Sequence, residues 1–196
     1  MSTTTRKLTS DDILDLRAYE RVRDEFRREV IALKKRRRIT LGSFVTLVFE
    51  NTTTMRFQIQ EMARAEKMLR DDQIEHEVAT YNLLIPDAGQ LSATLFIELT
   101  DEWQLREWLP RLVGIHEAIV FVLADGSTVR GYDPEAERLT RDDVTPAVHF
   151  LKFEFTPEQR AAFAAGPVTL ACDHAAYAFE AELGPDLLAE LRTDLA

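Results

Sequence analysis

Residues Met55 to Leu99 read MRFQIQEMARAEKMLRDDQIEHEVATYNLLIPDAGQLSATLFIEL, and the order of patterns in this stretch decides the fold class. Met55, Ile59, Met62 and Leu69 recur at steps of four, three and seven, which places them on one helical face. Glu66 fills the gap in that stripe, so the spacing predicts a carboxylate on the covered side of the helix. A charge there needs a partner, and Arg70 stands four residues on. Met55, Phe57 and Ile59 also alternate as a strand would, but Thr52, Thr53 and Thr54 offer helix N-caps. A second helical pattern follows in Ile74, Val78, Tyr81 and Ile85. Asp72 and Glu75 have the spacing of a capping box, and Pro86 closes the run. A link of only Asp71-Asp72 predicts a tight antiparallel helical hairpin. Beyond the turn Pro86-Asp87-Ala88-Gly89, Leu91 to Leu99 alternates as a strand.

Working outward, the strand before the hairpin is expected over Leu41–Glu50. Both of its faces are apolar, as in a central strand. Ile13, Leu16, Tyr19, Val22, Phe26, Val30 and Leu33 trace one stripe of a long N-terminal helix, capped near Thr9 or Ser10 and ending in Lys34-Lys35-Arg36-Arg37-Arg38. Downstream, Thr100 or Asp101 caps a helix holding Trp103, Trp108 and Pro110. Asp125-Gly126 marks a hairpin between Glu117–Leu123 and Thr128–Tyr132. The acidic stretch Asp133–Thr145 reads as a mobile loop. Ala147–Phe155 is a strand, Thr156-Pro157-Glu158-Gln159 a helix start, and Val168–Cys172 with Tyr177–Leu183 a last hairpin. Gly184-Pro185 opens the final helix. The order predicts an α+β fold: a mostly antiparallel sheet with an inserted helical hairpin and a long N-terminal helix. A parallel doubly wound sheet is the weaker alternative, since no Gly-rich phosphate loop follows a strand.

A chain of 196 residues suits a single domain over 1–196, with residues 9–38 as a helical appendage or docking helix. No apolar run approaches the roughly 20 residues a membrane helix needs. The N-terminus lacks the apolar stretch of a signal peptide. The single Cys172 leaves no internal disulfide and fits a reducing cytoplasm, where a soluble protein is expected. The net charge is −10, yet Arg21 to Arg38 carries nine bases against three acids, so the rest is strongly acidic. A duplex-binding domain usually shows the opposite overall balance.

His76, His116, His149 and His174 form no HxxxH or HExxH pair. Cys172-Asp173-His174 is expected at a hairpin tip, a polar turn rather than a metal site. No metal set, cofactor or catalytic set is assigned. The candidate ligand-binding positions are Gln58, Glu61, Glu66, Tyr81, Asn82 and Glu98, around the helical hairpin and its following strand. They can line a polar pocket for a cation or small amine, or form the hydrogen-bond network that fixes hairpin against sheet. The network is the favoured reading, since buried polar groups must be satisfied in any case.

FQIQEM (Phe57 to Met62), Arg64 with Glu66, Tyr81-Asn82, Ile85-Pro86, Ser92-Ala93-Thr94-Leu95 and Ala147 to Phe153 together resemble a bacterial family catalogued only as a domain of unknown function. His149 stands where a more neutral residue is expected. The resemblance runs from about Leu8 to Leu195. It implies a family with no settled activity, whose members are often encoded near rubrerythrin-like and iron–sulfur redox proteins. The leading expectation is therefore a non-catalytic accessory or interaction module in a redox context, partnered by redox proteins or self-associating through its N-terminal helix. The alternatives are a metal-dependent enzyme or sensor with an acidic pocket near Glu66, and RNA or acidic-partner binding through Lys34–Arg38.

Overall fold

The computed structural model of the protein describes residues 6–134 and 144–195. The elements run α1 (Leu16–Arg36), β1 (Arg38–Leu41), β2 (Val45–Phe49), α2 (Thr52–Ala65), α3 (Asp71–Asn82), β3 (Gln90–Ile97), α4 (Glu102–Arg111), β4 (Ile119–Val122), β5 (Thr128–Arg130), β6 (Val148–Glu154), α5 (Pro157–Ala165), β7 (Thr169–His174), β8 (Tyr177–Glu182) and α6 (Pro185–Leu195). This is the expected α+β class, with every strand pairing antiparallel. The strands form two four-stranded sheets, ordered β1-β2-β3-β6 and β5-β4-β7-β8, where the sequence suggested one.

Strand alternation explains how the sheets stack. In the first sheet Phe49 pairs across from Ala93, and Ala93 across from Leu151, so one apolar set turns inward. In the second sheet Phe121 does the same opposite Leu170. The Phe121 ring lies 4.8 Å from Phe153, 5.8 Å from Phe49 and 5.8 Å from Phe163, so it sits at the centre of the shared core. The sheets also touch at both edges. Tyr132 and Lys152 exchange backbone hydrogen bonds of 3.0 and 2.8 Å just past β5. At the other edge the Tyr177 hydroxyl donates to the Leu41 carbonyl at 2.7 Å and accepts from the Ser43 amide at 2.8 Å. Gly42 sits beneath it with φ +64, where a Cβ would come within 2.5 Å of that oxygen.

That contact accounts for one correction. The run expected as a single strand over Leu41–Glu50 is the end of one strand, a tight turn and a second strand, because Gly42 turns the chain and Tyr177 satisfies the turn amides. β2 is central as expected, and all five of its residues are buried. The N-terminal helix also starts later than expected. A short 3-10 turn covers Ser10–Asp12, and Asp15 caps α1 by accepting from the Ala18 amide. Of the seven-residue stripe only Tyr19 and Val30 are buried. A second, smaller apolar cluster of Leu8, Met55, Ile59, Val78 and Ile85 lies between the N-terminal segment, α2 and α3. The stretch expected as a mobile loop, Asp133–Thr145, falls for the most part outside the described residues.

The C-terminal helix is fastened by Arg37, a guanidinium only 1% exposed. Its Nε donates to the Phe49 carbonyl at 2.8 Å, and its terminal nitrogens reach the Glu50 carbonyl, Glu190 and Asp194. Replacing Arg37 by Leu removes one side of a buried charged cluster. It should cost about 3–5 kcal/mol in urea unfolding.

Candidate functional site

The six positions singled out in the sequence do not converge on one pocket. Glu66 is corrected outright. α2 ends at Ala65, so Glu66 is its exposed C-cap rather than an inward carboxylate. Lys67 follows with φ +53, and the link runs through Arg70 instead of the two residues expected. Leu69, expected in the buried stripe, is consequently 81% exposed. The depression nearest this link, about 180 Å³ and lined by Ile13, Ala63, Met68, Arg70, Asp71 and Ile74 among others, does not include Glu66. The carboxylate that does turn onto a neighbouring helix is Glu61. Tyr19 and Arg23, one turn apart on α1, both grip it: the Tyr19 hydroxyl at 2.8 Å and the Arg23 guanidinium through two bonds of 2.8 Å. Arg64 pairs with Glu20 one turn along, and Phe26 meets Phe57 edge-on at 5.6 Å. These contacts form a seam along α1 and α2.

Asn82 has a different task. Its side-chain amide accepts from the Leu8 amide at 2.8 Å and donates to the Leu8 carbonyl at 2.9 Å, as a neighbouring strand would. Gln60, which the sequence reading did not single out, does the same for Leu14 at 2.7 and 3.1 Å. Two amides thus hold the N-terminal segment against the hairpin. Tyr81 is half-buried against the smaller apolar cluster, and Gln58 is half-buried on α2. Glu98 lies beside β1 and β2, where it accepts from Arg38 at 2.5 Å and Thr46 at 2.7 Å. Its pKa is lowered, first by the Thr46 hydroxyl and then by Arg38.

The basic run is largely committed. Arg36 pairs with Glu190, Arg37 is buried, and Arg38 pairs with Glu98. A different basic feature stands out on α1. Arg17, Arg21, Arg28 and Lys35 follow steps of four, seven and seven, so they fall within about 40° of one another around the helix, with the exposed Asp24 on the same face between Arg21 and Arg28. All four are exposed, and among the described residues none has an acidic partner within ion-pair distance. On a different face of α1, roughly 120° round the helix, a groove of about 270 Å³ runs between α1, α2 and the N-terminal segment over Leu14, Val22, Phe26 and Arg56, with Asp12, Glu25 and Glu29 also on its wall. Leu14 and Val22 are each more than two-fifths exposed.

One cluster was missed. His149 alternates with Leu151 and Phe153 and therefore points into the core, where it is fully buried. The His116 ring stacks on it with centroids 5.1 Å apart and planes 15° apart. The signal was present in the strand alternation around His149, but His116 lies on a 3-10 turn (Ile115–Glu117) with no periodicity to reveal it. Cys172 is also corrected. The last hairpin turns at Ala175-Ala176, so Cys172 sits inside β7, buried, with burial pushing its thiol pKa up. Its neighbour His174 bonds the Val113 carbonyl instead. Among the described residues no three His, Cys, Asp or Glu side chains are grouped as a metal site.

These features define a two-sheet α+β protein with a helical hairpin strapped to its N-terminal segment. Among the described residues, no helix is long and apolar enough to cross a membrane. The chain belongs to the DUF3501 family of proteins of unknown function, whose model matches residues 7–195. It is similar to a solved structure described as a novel protein of unknown function from Burkholderia pseudomallei K96243. The two share 40% identity and a TM-score of 0.90 over 97% of this chain and 100% of that one. No curated protein matches.

The Arg23 guanidinium, followed by the Tyr19 hydroxyl, holds the Glu61 carboxyl below its ordinary pKa of 4.5, against an opposing contribution from burial. A depressed carboxylate stabilises the fold above its unfolded pKa, and that contribution is lost as pH falls through the folded value. Glu61→Gln should therefore destabilise by about 1–2 kcal/mol at neutral pH. The gap to the wild type should close as chemical unfolding is repeated from pH 5 towards pH 3.

Proposed function

We propose that the protein is a non-catalytic interaction module whose α1 docks the acidic surface of a partner protein. The observation that carries this reading is the line Arg17, Arg21, Arg28 and Lys35. These are four exposed bases without acidic partners among the described residues, on a helix that other residues anchor firmly. Arg17 and Arg21, four residues apart on the helix, repel one another and cost stability, and an acidic partner relieves that cost while speeding encounter. A second copy's α1 would present the same bases and offers less complementarity than an acidic surface. RNA is the weaker occupant. The chain as a whole carries −10, and among the described residues no aromatic side chain lies along the line for bases to stack on. The redox setting of such a partner rests on the family resemblance alone.

The test uses labelled poly-L-glutamate and an oligouridylate as probes in fluorescence anisotropy. The wild type should bind poly-L-glutamate saturably at low salt and release it as salt rises. Arg21→Glu with Arg28→Glu, folded by circular dichroism, should bind about tenfold more weakly. No binding by the wild type at low salt, or equal binding by the variant, would overturn the reading. Tighter binding to oligouridylate than to poly-L-glutamate would overturn it in favour of RNA.

A further inference from the structure

The His116–His149 stack lies at one end of the inter-sheet core and joins two elements distant in the chain. His116 belongs to the turn after α4, and His149 to β6. His149 Nε2 is 2.9 Å from the Thr145 hydroxyl, and its Nδ1 is 3.5 Å from the Asp133 carboxylate, which is itself fully buried as a side chain. His116 Nε2 faces the Glu117 carboxylate at 3.7 Å, but that carboxylate is mostly in solvent. His116 Nδ1 and His149 Nδ1 are buried without a hydrogen-bond partner among the described residues. Nearby, Arg130 binds the Glu117 carbonyl and Asp173, and His174 binds the Val113 carbonyl. Among the described residues, the groups facing the pair are Asp133, Glu117 and Thr145.

We infer that this pair is an acid-released latch, which holds the turn after α4 against β6 while at most one ring is charged. Two neutral rings stack without penalty. One imidazolium in the pair is tolerated, because the Asp133 carboxylate faces the stack and the Thr145 hydroxyl can turn from donor to acceptor. A second proton places two cations with centroids 5.1 Å apart in a buried site, where like charges repel strongly and hydration is lost. Separating the turn from β6 hydrates both rings and relieves the repulsion. Burial and the neighbouring His149 hold the His116 pKa below its ordinary 6.5, in keeping with this geometry. The sign follows: the closed form binds the second proton less readily than the open form, so acid favours opening. The opening reaches further than the turn. The Thr145 amide is held by the Leu109 carbonyl of α4, and Trp108 beside it packs on Phe44 and Tyr177 at the sheet edge.

Amide exchange and histidine NMR, recorded from pH 7.5 to 4.5 on the intact chain, test the latch. His116 should resist protonation until well below its ordinary pKa of 6.5. Protection of the amides over 115–118 and 145–150, corrected for intrinsic exchange, should fall by about tenfold per pH unit below roughly 6.5. Protection in β2 and β3 should hold. His116→Phe, which keeps the stack but not the titration, should abolish the acid step; His116→Gln serves if the Phe variant fails to fold. Titration of His116 at its ordinary 6.5, an unchanged acid step in the folded variant, or loss of protection only on global unfolding would each overturn the inference.

Discussion

The fold depends on a guanidinium withdrawn from water. Arg37 stands where α1 hands over to β1, and its hydrogen bonds reach the end of β2 and the carboxylates of α6. A buried charge is tolerated only where its donors are matched, so this contact constrains three elements far apart in the chain. It fixes the end of α1, the start of the first sheet and the seat of the C-terminal helix at one point. The neighbouring bases then have defined positions too, with Arg36 on Glu190 and Arg38 on Glu98. A run that looks like a free cationic patch is largely spent on holding the molecule together.

The other end of α1 is secured by hydrogen bonds to groups of the hairpin. Glu61 receives Tyr19 and Arg23, while Gln60 and Asn82 take the backbone of the segment before α1. The hairpin thus acts as a bracket whose polar side chains hold a strap of chain that has no strand of its own. This leaves the remaining face of α1 exposed, with its bases on the outside. An anchored helix with an unsatisfied charged face is the feature a docking surface needs, because little further ordering is required when a partner arrives.

Much of the architecture was legible in local pattern. Alternation located β3 and β6, Asp125-Gly126 located the β4–β5 hairpin, and Thr156 with Gln159 located the start of α5. Each signal is local, and local rules govern it. Glu61 and Asn82 were on the short list because their residue types sit beside apolar stripes. Glu66 was placed on the same grounds and fell outside, because periodicity does not report where a helix stops. The chain leaves α2 through a left-handed lysine, a conformation that non-glycine residues seldom adopt. Gln60 went unnoticed because its partner is a backbone forty-six residues away.

The sequence by itself determined the class of fold, the antiparallel habit of its strands and the amphipathic helices, since these follow from spacing and from turn chemistry. Only the tertiary structure decided that the strands divide into two stacked sheets, that Arg37 is interior, and that His116 meets His149. Those outcomes depend on which distant groups share a low-dielectric interior. A residue's desolvation and its partners belong to the packed assembly, and no short window of chain contains them.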